Sequence, residues 1–290
     1  MHTHIPTLLQ REWMQHKRGW LITALAPPLL FLAVLPFSDF QGLPTKNPEL
    51  MSIAILLISV AAVYVICLLV GLFQLPGLAR RDTQDRSIEF WLSLPGRPAE
   101  SVLATVLAHA WLAPLGGALI GALLGLPIAV GVLGSKMGLA HAMGTNWGEV
   151  IAAAGPVLLR GLAGTFLLTL WLAPFFLLLM AASSWLKRLG VPVVLVGVGV
   201  TVAVLYNVYD ITWPLEALQG LNARINQTLI HSGPGLQEAL KQEDVGSLVN
   251  WALKDFGHAL ADLASLQFLG WAAIAAGAFT LVVMKRTRGG

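Results

Sequence analysis

Few side chains in this 290-residue chain have types and spacings that suit chemistry. Asp82 and Asp85 lie three residues apart, which on a helix brings two carboxylates to one side and suits a divalent cation. A site for a lipid diphosphate takes two acidic clusters, and the sequence has one Asp-x-x-Asp pair. Because the second cluster is missing, the sequence argues against an integral membrane enzyme of this kind but does not exclude one.

Other reactive residues are isolated along the sequence. His109 and Trp111 lie in an apolar run, where contact with a substrate is one interpretation and simple packing is the favoured one. His2 and His4 can pick up metal adventitiously, but no second ligand cluster accompanies them, so no metal site is predicted. Cys67 is the single cysteine, which excludes an intrachain disulfide and a thiolate zinc site.

Apart from the charges on the basic side described below, Arg160 is the one charged residue that lies close to membrane depth. A charge at such depth is a functional hypothesis by default. It lies at the outer end of the predicted fourth span, where its stem can also snorkel to water. Pairing with Glu149 and a role as an outer gate are the functional alternatives.

The overall composition indicates whether these residues belong to a soluble protein or to a membrane protein. Hydrophobic residues make up 56% of the chain and Asp, Glu, Lys and Arg only 11%, against about 25% charged residues in an ordinary globular domain. The mean hydropathy is +0.73. So few charges cannot cover a soluble surface, which excludes a water-soluble enzyme and predicts a polytopic membrane protein.

Six apolar runs match the roughly 20 residues that cross a hydrocarbon core about 30 Å thick. Because isolated spans must satisfy their own backbone hydrogen bonds, all six are predicted to be helices of one all-α transmembrane domain covering residues 1–290. The predicted spans are residues 19–37, 51–73, 102–133, 161–182, 191–209 and 263–284.

The distribution of basic residues predicts the orientation of these spans. Segments 1–18, 74–101, 183–190 and 285–290 carry 12 Lys and Arg in 60 residues, whereas the alternate segments 38–50, 134–150 and 210–262 carry 5 in 83. The first set is therefore predicted to be cytoplasmic, with both termini inside.

The N-terminal segment, residues 1–18, is amphipathic. Apolar side chains recur at helical spacing on one face, namely Ile5, Leu8, Leu9 and Trp13, and the other face carries Arg11, Glu12, Gln15, Lys17 and Arg18. This pattern predicts a helix in the cytoplasmic interface of the membrane. The alternative is a basic flank that only sets orientation.

The segment between spans two and three predicts a short cytoplasmic helix over residues 80–94. Asp82 or Asp85 can cap its N-terminus, and Pro95 ends it. Ile88, Trp91 and Leu92 follow at i, i+3 and i+4. Such an aromatic-apolar face packs on the membrane or fits a groove on a soluble partner.

Two further segments suggest packing rather than chemistry. Gly117, Gly121 and Gly125 form a doubled small-xxx-small pattern that lets another helix approach closely. Packing against a span of the same chain is favoured over an interface with a second chain. Residues 210–262 are predicted to form two helices on the outer face, 215–229 and 236–260, with a break at Gly233-Pro234-Gly235. A lid or gate is the favoured role for these helices.

The amphipathic N-terminus and the 80–94 segment resemble those of type-2 ATP-binding-cassette exporter permeases. Leu9-Gln10-Arg11-Glu12-Trp13 is similar to their elbow helix, and residues 80–95 resemble their acidic-basic run followed by a Ser-Ile-x-Phe-Trp-x-Ser-Leu-Pro-like stretch. The resemblance implies an elbow helix within residues 5–18, carrying Leu8, Leu9, Arg11, Glu12 and Trp13. It implies an ATPase-coupling helix at 80–94, carrying Arg81, Asp82, Asp85, Arg86, Ile88, Glu89, Phe90 and Trp91.

The resemblance also implies the partners of the chain. They are a dimer of cytoplasmic ATPase subunits that binds ATP and magnesium, a second copy or a sister permease, and the bilayer of the cytoplasmic (inner) membrane, with no nucleic acid. No Gly-x-x-x-x-Gly-Lys-Ser/Thr loop occurs in the sequence, so no cofactor is expected on this chain. A hydrophobic or amphipathic substrate is expected.

Two other classes stay open at this point. One is an integral membrane enzyme acting on a lipid, which would depend on Asp82 or Asp85. The other is a stand-alone transporter or a membrane-anchored assembly factor.

Overall fold

The computed structural model describes residues 4–38, 47–84, 97–242 and 244–287, with only the backbone given for 81–84. In these ranges every regular element is helical, which agrees with the predicted all-α class. The α-helices there are α1 (Ile5–Val34), α2 (Pro48–Gln84), α3 (Pro98–Met137), α4 (Leu139–Gly144), α5 (Trp147–Leu186), α6 (Gly190–Tyr209), α7 (Trp213–Leu229), α8 (Gly233–Lys241), α9 (Val245–Ala261) and α10 (Leu266–Thr287).

Within the described ranges, five helical segments are long and apolar enough to cross a membrane. They are Ile5–Phe37, Pro48–Arg80, Pro98–Met137, Trp147–Tyr209 and Leu266–Thr287. Six spans were expected from the sequence. The difference arises because predicted spans 161–182 and 191–209 fall within one 63-residue segment, which contains both α5 and α6.

The first helix does not divide into an interfacial helix and a span. α1 runs without interruption from Ile5 to Val34 and ends in a 3-10 turn, Leu35–Phe37. Gly19 is the only weak helix former at the expected boundary, and one glycine costs a helix only about 1 kcal/mol. A separate elbow helix over residues 5–18 is therefore not confirmed.

The second helix is longer than its predicted span of 51–73. α2 continues through Pro76 to Gln84 and so includes the first residues of the expected coupling helix. Asp82 consequently lies inside α2 and does not cap a helix N-terminus; Asp85, the alternative cap, lies outside the described residues. Residues 85–94, the rest of the coupling segment, lie outside the described residues.

The third helix extends beyond predicted span 102–133 at both ends and contains an irregular turn. It begins with Arg97 as N-cap and Pro98 in its first turn, where proline is favoured. Leu107–Leu112 forms a π-helical turn just before Pro114. Pro114 lacks the N–H that would bond the Ala110 carbonyl, and the Thr169 hydroxyl of α5 lies 3.2 Å from that oxygen. A neighbouring helix thus compensates for the proline, as is common in membrane bundles.

α2 and α3 pack antiparallel along the glycine stripe. Ideal Cβ atoms on Gly117, Gly121 and Gly125 would lie 2.6, 2.9 and 2.7 Å from atoms of α2. The nearest atom to Gly121 is the Ser59 carbonyl oxygen, so no side chain fits there without moving backbone. The stripe therefore serves helix packing within this chain.

α5 and α6 are joined by a tight turn. Their connection, Lys187–Leu189, contains a positive φ of 56° at Lys187. An added Cβ on Gly190 would lie 2.3 Å from the Ala182 carbonyl oxygen, so the chain turns back directly onto α5. Gly190 is the only buried residue of α6, and the remainder of the helix is exposed or half-buried.

The segment between α6 and α10 forms three helices instead of the two expected. α7 and α8 are separate at the predicted break, and α8 begins at Gly233 because Ser232 Oγ accepts the Gly235 N–H and proline suits a first turn. The additional break lies between α8 and α9. α9 begins after Asp244, whose carboxylate accepts the Ser247 N–H at 2.9 Å. These helices cover the first half of α5 through one apolar cluster: Val157, Ala239, Leu248 and Trp251.

The core at the opposite end joins α2, α3, α5 and α10. Its fully buried members include Leu75, Val102, Phe176, Met180 and Val282. At this end Ser183 Oγ donates to the Pro76 carbonyl at 2.7 Å, and Arg286 donates to Ser101 Oγ at 3.0 Å. α1 lies outside this four-helix core and packs alongside α2 and α3.

Candidate functional site

A buried polar cluster joins the first part of α1 to α3. We call Glu12, His16, Thr105 and His109 the α1–α3 cluster. Glu12 and His109 are fully buried, and the His16 side chain is 24% exposed. His16 Nε2 lies 3.6 Å from Glu12 Oε2, and the His16 and His109 rings meet edge to face with centroids 4.7 Å apart. Two imidazoles and a carboxylate thus converge from two helices.

The second carboxylate oxygen of Glu12 is held by other groups. Arg11 Nη2 donates to Glu12 Oε1 at 2.7 Å. The Thr105 hydroxyl lies 3.1 Å from the same oxygen and 3.1 Å from the Ser101 carbonyl, so its proton is shared between them. Arg11 thus places a counter-charge beside the buried carboxylate.

The orientation of His109 depends on the π-helical turn. Its Nδ1 lies 3.1 Å from the Thr105 carbonyl oxygen, which only accepts, so Nδ1 carries the proton and Nε2 the lone pair in the neutral ring. An added Cβ on Gly71 would lie 2.2 Å from the His109 carbonyl oxygen, so glycine in α2 lets the turn approach. Single π turns within α-helices occur frequently at functional sites.

An apolar cleft between α1 and α3 adjoins this cluster. Its volume is about 180 Å³, and its lining includes Leu9, Trp13, Trp20, Leu112, Gly116 and Ile120. Trp20 separates the cleft from the polar groups, because its ring contacts the His109 ring edge to face at 5.0 Å. The cleft can accommodate an apolar group of modest size from a lipid or a ligand.

The second buried polar feature is an ion pair between α5 and α9. Arg160 Nε donates to Asp255 Oδ2 at 2.8 Å, and Arg160 Nη1 donates to the Thr228 carbonyl at 2.8 Å. Asp255 also accepts the backbone N–H groups of His231 and Ser232 at 2.9 and 2.6 Å. The two charged side chains are 0% and 1% exposed. One charge pair therefore joins α5, α9 and the link between α7 and α8.

The predicted site residues separate into three groups in the structure. The side chains of the coupling set (Arg81, Asp82, Asp85, Arg86, Ile88, Glu89, Phe90 and Trp91) lie outside the described part of the chain. Among the elbow residues, Trp13 is exposed and Leu8 and Leu9 are half-buried, whereas Glu12 turns inward to α3. Arg160 is paired with Asp255, not with Glu149 as the sequence suggested.

Sequence reasoning did not find His16, Thr105 or Asp255 as partners. Glu12 and His16 are four residues apart, which places them on one helix face, and that spacing could have drawn attention to them. Thr105 and Asp255 carry no local signal, since they contact residues 93 and 95 positions away.

The fold and charge pattern define a multi-pass helical membrane protein. No family model matches the chain, and no solved structure matches it. Heme exporter protein B of Pseudomonas aeruginosa is similar, with 34% identity over 174 residues that cover 55% of this chain and 70% of that protein. The chain belongs to the heme exporter protein B family.

Proposed function

We propose that this chain is the transmembrane permease subunit of an ATP-binding-cassette exporter. It moves a hydrophobic or amphipathic substrate across the cytoplasmic membrane with ATP hydrolysed by a separate subunit. Family membership is the observation that carries this proposal. The apolar helical bundle supports a membrane-spanning role, and the sequence contains no phosphate-binding loop, so the proposal assigns ATP hydrolysis to a separate subunit.

Heme is the first substrate to test. The matched relative is named a heme exporter, and heme is amphipathic, with an apolar ring and charged propionates. The lining of the cleft between α1 and α3 is suited to apolar groups. Its volume is too small for a whole porphyrin, so translocation of heme would require the helices to separate.

The proposed topology has six spans and cytoplasmic termini. α6 has 20 residues, about 30 Å of helix, which equals the thickness of a hydrocarbon core. The tight turn between α5 and α6 supports two separate crossings, and the excess of Lys and Arg in alternate segments supports the orientation. In this arrangement α7 to α9 lie on the outer face and the α1–α3 cluster lies near the inner face.

Accessibility of introduced cysteines tests this topology. Cys67 is buried, and Cys67→Ser supplies a cysteine-free background. A membrane-impermeant maleimide applied from outside should label Thr212→Cys, between α6 and α7, and leave Arg188→Cys, between α5 and α6, unlabelled. Labelling of both from the same side would show that α6 does not cross the membrane.

The proposed contact with the ATPase is residues 80–94, flanked by the start of α1. The chain acts as a dimer or with a sister permease, and ATP-driven closure of the ATPase dimer pushes on this segment. Arg81, Asp82, Asp85 and Arg86 supply charges, and Ile88, Phe90 and Trp91 supply the apolar face.

Co-purification and ATP hydrolysis test the coupling. The chain is co-expressed with a candidate ATPase subunit, and Trp91→Ala and Glu89→Ala are compared with Trp213→Ala and Glu216→Ala on the proposed outer face. The first two variants should lose the ATPase or its heme-stimulated hydrolysis, and the controls should retain both. Intact complex formation and turnover in Trp91→Ala and Glu89→Ala would refute the coupling assignment.

A further inference from the structure

Glu12, His16 and His109 form a set of metal ligands that the transport function does not require. One ligand atom from each residue lies within 4.8 Å of the other two. Two histidines and one carboxylate are a ligand set that holds zinc in proteins, with the fourth position open to water. We propose that these residues bind one divalent transition-metal ion of the zinc type.

One of the three ligand-atom distances is already close to that around a bound ion, and the other two are at most 4.8 Å. Zinc lies about 2.1 Å from nitrogen and oxygen ligands, so tetrahedral ligand atoms are roughly 3.4 Å apart. His16 Nε2 and Glu12 Oε2 are already 3.6 Å apart. Glu12 and His16 are one helical turn apart on α1, so small rotations about their side-chain bonds close the set around an ion.

Surrounding groups orient the ligands as they do at known metal sites. A metal-binding histidine usually donates its second ring N–H to a backbone carbonyl or a carboxylate, and the metal takes the other nitrogen. His109 has this arrangement, with Nδ1 donating to the Thr105 carbonyl. Arg11 and Thr105 contact Glu12 Oε1, so Oε2 is the oxygen that lies toward His16.

The limited space beside His109 favours a free metal ion over the iron of a heme as the occupant of the cluster. The His109 ring is enclosed by the rings of His16 and Trp20, with centroids 4.7 and 5.0 Å away. A porphyrin plane needs open space around the ligating nitrogen, and it would compete with these two rings for the space beside His109. Entry of an ion is available through His16, which is partly exposed.

A bound ion would fasten the first part of α1 to the π-helical turn of α3. The ligands come from positions 12, 16 and 109, so the ion bridges two helices that are otherwise joined there by hydrogen bonds and ring contacts. Because metal binding stabilises the folded state by mass action, the bridge makes the α1–α3 contact depend on metal concentration.

Metal titration of the purified full-length chain tests the site. The protein carries His2→Ala and His4→Ala to remove the terminal imidazoles, and its affinity tag contains no histidine. After treatment with a chelator, Zn²⁺ is titrated by calorimetry and Co²⁺ by its visible d–d absorption. We expect one equivalent of each ion, with Co²⁺ displaced by Zn²⁺.

Conservative variants assign the ligands. Glu12→Gln and His16→Gln keep the size of each side chain and should each weaken binding at least tenfold, as should His109→Ala. Thr105→Val removes only a supporting contact, and loss of such contacts typically costs about 10- to 100-fold in affinity. Circular dichroism and size exclusion show whether each variant is folded. If His109→Ala is misfolded, the binding measured for Glu12→Gln and His16→Gln still decides the test.

The histidine pair His231 and His258 supplies the matched control, with ring centroids 5.6 Å apart at the other end of the bundle. His231→Ala with His258→Ala should leave binding unchanged. Absence of stoichiometric binding, or binding unaltered in Glu12→Gln and His16→Gln, would overturn the proposal. Hemin binding through His109 without binding of a divalent ion would overturn it as well.

Discussion

Asp255→Asn removes the charge that faces Arg160 in the buried contact between α5 and α9. Asp255 accepts three hydrogen bonds, two of them on Oδ2, from Arg160 and from the His231 N–H. Asparagine can retain those two through its carbonyl oxygen. Its amide group then faces the Ser232 N–H, and two donors cannot bond to each other.

The expected cost follows from these contacts. Leaving one charge of a buried pair uncompensated costs about 3–5 kcal/mol, and one unsatisfied backbone N–H costs about 1–3 kcal/mol. The two effects overlap, because water entering the site would relieve both. We therefore expect Asp255→Asn to lower the free energy of unfolding by about 3–5 kcal/mol. Asp255→Ala should cost at least as much, since it removes all three acceptor contacts.

Unfolding by sodium dodecyl sulfate in mixed micelles, followed by tryptophan fluorescence, measures this loss. Asp262→Asn is the matched control, because Asp262 pairs with Arg224 where both side chains are partly exposed. Such exposed pairs contribute about 0.2–1 kcal/mol. An Asp255→Asn protein within about 1 kcal/mol of the unmodified chain would refute a buried, charge-dependent contact.

Two glycine substitutions test the close helix contacts, each beside a control glycine that has open space around it. Gly121→Ala places a Cβ 2.9 Å from the Ser59 carbonyl of α2 and should destabilise the chain by about 1–3 kcal/mol, whereas Gly116→Ala should gain up to about 1 kcal/mol from helix propensity. Equal unfolding midpoints for the two variants would exclude the α2–α3 contact. Gly190→Ala, whose Cβ would lie 2.3 Å from α5 backbone, should lower the thermal midpoint in detergent, and Gly197→Ala should not. An unchanged midpoint in Gly190→Ala would contradict the tight turn between α5 and α6.

Much of the architecture could be predicted from composition and local pattern. Apolar runs define membrane helices because the bilayer leaves no other partner for the backbone, and Pro98 begins α3 where proline is tolerated. The limits of the helices were less predictable. α1 and α2 continue past the membrane-length runs because nothing in residues 17–20 or 74–84 is strong enough to stop a supported helix, Pro76 included.

The sequence by itself determined a helical membrane protein with its basic residues concentrated in alternate connecting segments, since hydropathy and charge act at every residue. The partners of its buried polar groups were decided only by tertiary structure. Arg160 meets Asp255, and Glu12 meets His109, across about 95 residues of chain that contain other candidate partners. Short-range spacing cannot choose among them. The choice is made by the packing of α5 on α9 and of α1 on the π-helical turn, because a buried charge is stable only where its counter-charge and hydrogen-bond donors arrive together.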